Sequence, residues 1–224
     1  TNGASFTGIK LTGGDFDGMS GNMTDVATTT NNAMISNTGS GTITISGGTY
    51  QSNVSSVIYS TAAGNINLTG GTIGNTSSSA NATVSFAATA SGTLTVDGAT
   101  ISGAGSNTIN VRQDGGPTFI MNSGTIKNTN TSGSGVNIHT DGVGYVPVTH
   151  KMTGGTIDVK AHHGLKISSS EIELTGGTIK NTYSDTASDA IWCGYQTDVS
   201  DATCYLRGTN VYGAGQGLEV EQGT

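Results

Sequence analysis

Leu68-Thr69-Gly70-Gly71-Thr72-Ile73 and Leu174-Thr175-Gly176-Gly177-Thr178-Ile179 are the same phrase written twice. Variants of it run as LTGGDF from Leu11, ISGGTY from Ile45, VDGATI from Val96, MNSGTI from Met121, MTGGTI from Met152 and LRGTNV from Leu206. The phrase returns every 22 to 34 residues, and self-similarity at that period is the mark of a solenoid or array.

Outward from each phrase, apolar residues alternate. Ile43/Ile45, Ile66/Leu68, Leu94/Val96, Phe119/Met121, Ile172/Leu174 and Cys204/Leu206 are two apart, the period of a strand with one buried face. A Gly-rich bend follows, and five residues after each anchor stands a further inward residue, Phe16, Tyr50, Ile73, Ile101, Ile126, Ile157, Ile179 or Val211, so that each phrase reads as a strand, a sharp corner and another strand. A third alternating pair occurs once per repeat, as Val57/Tyr59, Val84/Phe86, Ile109/Val111, Val136/Ile138, Leu165/Ile167, Ile191/Cys193 and Leu218/Val220. Equivalent residues recur once per turn, so strands must lie parallel to their copies about 4.8 Å away. The expectation is an all-β, single-domain parallel β-helix over residues 1–224, of about eight coils with about three short strands each. Coils of this size point to the right-handed, pectin-lyase-like cross-section. No capping segment is evident at either end, so the chain reads as a segment of a longer solenoid.

Composition narrows the function classes. Eight Lys+Arg against fifteen Asp+Glu give a net charge of −7, with no basic run of the kind that binds nucleic acid. No apolar stretch reaches the length of a membrane-spanning helix, so membrane insertion by this segment is not expected. Cys193 and Cys204 are the only cysteines. Either they pack as small apolar groups or they close a short disulfide loop, and their spacing admits both.

The phased Thr49, Thr72, Thr100, Thr125, Thr156 and Thr178 predict an outward ladder. Asn75, Asn128 and Asn181 fit corners where Asn bonds the local backbone. Recognition is expected on loops and on one outward face. The longer insertions are 18–32, 142–150 and 196–203, with Tyr145 in the second and Tyr195 beside the third. Trp192, the one Trp, lies between two inward residues. It should therefore point out from the same sheet as Ile35, Ile58, Ser85, Asn110, Asn137, Lys166 and Glu219. Trp192, Tyr195, Lys166, Asn137, Asn110 and Tyr145 are the candidate ligand-binding residues, the aromatics suited to stacking on sugars. The four His at 139, 150, 162 and 163, flanked by Lys127, Lys151, Lys160, Lys166 and Lys180, predict a local basic, pH-sensitive patch. No ligand spacing identifies a metal site. Zinc on His139, His162, His163 and Asp141, or calcium on Asp15 and Asp17, would each lack a supporting motif, and no cofactor is expected.

Two resemblances bear on function. The T/S-G-G-T-I phrase, the low charge, the Ser/Thr/Asn/Gly richness and the close Cys pair resemble the passenger region of bacterial autotransporter adhesins over the whole chain. That resemblance implies a β-helix on the bacterial surface or secreted, attaching to host or surface glycans and proteins or to copies of itself, without catalysis. Locally, His139-Thr140-Asp141-Gly142-Val143 and His162-His163-Gly164-Leu165-Lys166-Ile167-Ser168 resemble strands of polygalacturonases. This second resemblance would make Asp141 and His163 the catalytic candidates of a polysaccharide-degrading enzyme, yet the paired carboxylates such hydrolysis needs are not matched. Thr42/Thr44 and Thr93/Thr95 hint at an ice-binding plane, which Asn65/Asn67, Lys151 and Glu171/Glu173 interrupt.

Overall fold

The structure is a computed structural model and describes residues 9–11, 16–19, 21–25, 33–140, 146–168, 170–194 and 202–221. It is a single right-handed parallel β-helix of about seven turns, with 63% of the chain in strands. That is about one coil fewer than the repeats predict.

Two sheets wrap one apolar interior. The first stacks nine strands in chain order, from Ile9–Leu11 through Ser56–Ser60, Asn107–Arg112, Ser134–His139, His163–Ile167 and Asp189–Cys193 to Gln216–Val220. The second holds the repeated phrase. Its partners are those the repeat predicts: Leu68 faces Ile45 and Val96, Ile73 faces Tyr50 and Ile101, and Leu174 faces Met152 and Leu206. The Thr column is likewise in register, Thr49 to Thr72 to Thr100 to Thr125 to Thr156 to Thr178.

The expected strand, corner, strand sequence differs in one respect. In the middle coils the chain crosses the Gly step without leaving the sheet, as single long strands Ile43–Ser52, Ile66–Asn75, Thr93–Gly103 and Thr118–Asn128. Register shifts at the step absorb the bend. In the later coils the step separates two strands, such as Ser170–Leu174 and Thr178–Asn181. Glycine is required there twice over. Gly177 has φ +83°, and a Cβ on it would lie 2.6 Å from the Gly155 carbonyl of the preceding coil.

The interior is a stack of like on like. Ile43, Ile66, Leu94 and Phe119 form one buried column, and Ile45, Leu68, Val96, Met121, Met152 and Leu174 another. One phase assignment is overturned in the first sheet. Ile35 and Ile58, predicted outward, are fully buried and in register with Val84. Tyr59, predicted inward, pairs with Ser85 on the outer face and is half-exposed. Ser56-Val57-Ile58-Tyr59-Ser60 carries apolar residues in both phases, so alternation alone does not choose. Val57 is buried as well.

Leu206, Leu218 and Val220 stand in register with the inward Leu174, Ile191 and Cys193 but are exposed. Cys193 and Cys204 are joined in a disulfide that ties the first sheet to the second. Of the two readings of the pair, small apolar packing is therefore set aside.

Candidate functional site

The outer face of the nine-stranded sheet carries one uninterrupted column. Ser36, Tyr59, Ser85, Asn110, Asn137, Lys166, Trp192 and Glu219 stand in register, one per coil. Strand alternation puts each of them opposite the core, and parallel stacking sets successive members about 4.8 Å apart. Of the six predicted ligand residues, the structure thus brings Asn110, Asn137, Lys166 and Trp192 together. Tyr145 and Tyr195 lie outside the described residues, as does the candidate acid Asp141.

A second column in register begins each strand, Asn107, Ser134, His163 and Asp189, and all four are buried. The two columns bond each other. Asn107 Nδ2 and Asn137 Nδ2 both donate to Asn110 Oδ1, at 3.5 and 3.2 Å. Asn137 Oδ1 is buried and has no hydrogen-bond partner among the described residues.

Trp192 points out of the sheet as predicted, yet it is 8% exposed and offers no open stacking surface. Lys166 Nζ lies 4.9 Å from its ring centroid, His163 stands 5.9 Å away at a tilt, and Gly194 abuts the far edge of the indole. Burial lowers the Lys166 pKa, while the Glu221 charge works in the opposite direction.

The predicted basic, pH-sensitive patch does not form as a unit. His150 points into the core, where its Nδ1 accepts from the Phe119 N–H at 3.0 Å, and burial holds its pKa down to about 3. Lys151 pairs with Glu173 at 3.6 Å and Lys180 with Asp158 at 4.0 Å on the other sheet. His163 Nδ1 lies 2.9 Å from Asp189 Oδ2, a partner that the sequence analysis misses because the two are 26 residues apart.

Burial, with His162 and Lys166 adding to it, lowers the His163 pKa to about 3. Burial first, then the charge and hydrogen bond of Glu219 and the charge of Glu221, push Asp189 up to about 7. Both directions favour the neutral forms of the two groups. Asp189 is fully buried, out of reach of a substrate. His163 is therefore a structural partner in the described geometry.

Among the described residues no group of three or more His, Cys, Asp or Glu is arranged to hold a metal ion. Asp15 lies outside the described residues, and only the backbone of Asp17 is described. Compared with protein-family models, with curated proteins and with solved structures, the chain matches none.

Proposed function

We propose that this chain is an extracellular or cell-surface adhesion module that binds glycans or proteins, or a second copy of itself, without catalysing a reaction. The observation that carries the reading is the outward column of the nine-stranded sheet, in which Tyr59, Ser85, Asn110, Asn137, Lys166 and Trp192 follow one another in register. It combines amides, hydroxyls, one cation and aromatic rings along a rigid line, of which Tyr59, Asn137 and Lys166 are partly exposed while Ser85, Asn110 and Trp192 are buried. Such a line suits an extended ligand held by many weak contacts, where each contact made raises the effective concentration for the next.

Two further features support the reading. A disulfide forms and persists in oxidising surroundings, as outside the cell, and Cys193 and Cys204 are bonded. The whole-chain resemblance to autotransporter passengers adds the bacterial surface as the setting and host molecules as the partners. Polysaccharide cleavage is the competing reading, and the buried state of Asp189 counts against any part for that carboxyl in it.

The test is retention of the purified chain on immobilised glycans and matrix proteins, with sedimentation of the free chain to read self-association. Replacing Asn110 and Asn137 together by Ser, the residue that Ser85 contributes to the same column, should lower retention or self-association about tenfold, since linked weak contacts multiply. Unchanged binding by the double variant, or new reducing ends released from a bound polysaccharide, would overturn the proposal.

A further inference from the structure

Lys166 occupies the rung between Asn137 and Trp192 in the outward column. On one side its ammonium covers the indole, 4.9 Å from the ring centroid. On the other side stands Asn137 Oδ1, a buried acceptor with no donor among the described residues, whose own amide nitrogen is already committed to Asn110. A buried acceptor left unpaired is costly, and a lysine donates three hydrogen bonds from a flexible stem. One rung is about 4.8 Å, well within the swing of that stem. Cation–π contact and a charge-assisted hydrogen bond are of similar strength, so neither position of the ammonium locks out the other.

We infer that Lys166 is a latch over a cryptic sugar platform: swinging from Trp192 to Asn137 Oδ1, it uncovers the indole face for the apolar side of an uncharged pyranose. This rests on the adhesion reading and names its ligand class. The surroundings select against an acidic sugar. Glu219 stands on the rung beyond Trp192, and the Glu221 side chain lies beside Gly194 at the indole edge. A uronate on the indole would meet both carboxylates, whereas a neutral sugar can donate hydroxyls to Glu219 and accept from the swung ammonium. The lowered Lys166 pKa is in keeping with an ammonium that is poorly hydrated where it rests.

Trp192 is the sole tryptophan, so its emission reads this site without background. The experiment is acrylamide quenching of the full chain, followed by titration with cellohexaose and with a galacturonic acid hexamer. Lys166→Ser removes the cover and keeps a side chain that the column already accepts at Ser85. Asn137→Asp keeps the lysine and strengthens the acceptor that should draw it off the ring. Both variants should raise the quenching constant about twofold or more, and cellohexaose should shift their emission at about tenfold lower concentration than in the parent chain, the hexuronate giving no shift.

Quenching unchanged in both variants would overturn the latch, and would do so without bearing on the retention assay of the Asn110/Asn137 variant. Raised quenching with no response to cellohexaose, or a stronger response to the hexuronate, would overturn the ligand class. If Lys166→Ser does not fold, by far-ultraviolet circular dichroism, the Asn137→Asp result decides.

Discussion

His150 stands in a column where the other coils place Ile43, Ile66, Leu94, Phe119 and Ile172, and it is fully buried. Its tolerance there depends on neutrality, since Nδ1 accepts a main-chain N–H and an imidazolium could only donate. The folded pKa of about 3 lies below the ordinary value of 6.5, so the unfolded chain binds the extra proton between those values. Stability is then complete above about pH 7 and is lost as pH falls toward 3. The His163–Asp189 pair adds no slope in the acid range from about 4 to 6.5: folded it holds one proton, and unfolded a charged His and a charged Asp also hold one. Urea titrations should therefore show about 3 kcal/mol lost between pH 7 and 4, and His150→Asn should flatten that profile. A parallel profile in the variant would refute the assignment to His150. Asn181 makes a second prediction at this scale. Its buried amide donates to the carbonyls of Ala161 and Asp189 at 2.8 and 2.9 Å, and its oxygen accepts from the N–H groups of Ala161 and Tyr183. Asn181→Ala strands these groups and should cost about 2–4 kcal/mol in denaturant unfolding. The corner role of Asn was legible from its phase, while this count of partners was not, because they come from two coils and a turn.

The phrase T-G-G-T is a step in the coil whose glycines are set by the coil beneath them. At Gly177 a side chain would press on the Gly155 carbonyl in a positive-φ backbone, and the same clash recurs at Gly71, φ +81°, against Gly47. Gly217, in the strand Gln216–Val220, has no heavy atom within 4 Å of the Cβ it would acquire. Thermal melts should accordingly separate the two classes: Gly177→Ala should lose about 2 kcal/mol or more, and Gly217→Ala less than about 0.5. Equal effects would show that the step does not need its glycines. The element scale is also where alternation misleads. A strand such as Ser56–Ser60, apolar in both phases, is oriented by its neighbours, so Tyr59 joined the outward face only once its register with Ser85 was known.

A solenoid holds together through nearest neighbours, so its stability is local along the axis. The Cys193–Cys204 disulfide closes a short loop between the two sheets near the last coil. Opening it by Cys193→Ser with Cys204→Ser should cost about 3 kcal/mol by the loop-entropy estimate. In this architecture the loss should appear as faster amide exchange in the strands Ala202–Leu206 and Gln216–Val220. Protection in the middle coils, such as Thr93–Gly103, should be unchanged. Uniform loss of protection along the axis would refute nearest-neighbour stability here.

What the sequence determined by itself is the coil: a repeat of fixed phase makes each turn bury the same positions, and only parallel stacking lets every turn do so at once. The inward columns of the repeated phrase, the glycine step, the Thr ladder and the Asn corners follow from that periodicity. The tertiary structure alone decided what meets across coils where the repeat is not exact. It drew His150 into the core and His163 to Asp189, set Lys166 over Trp192, and joined the two cysteines. The reason is that these contacts join residues from different turns or strands, and periodicity fixes the stacking of columns but not the partner a polar side chain finds when its neighbours differ.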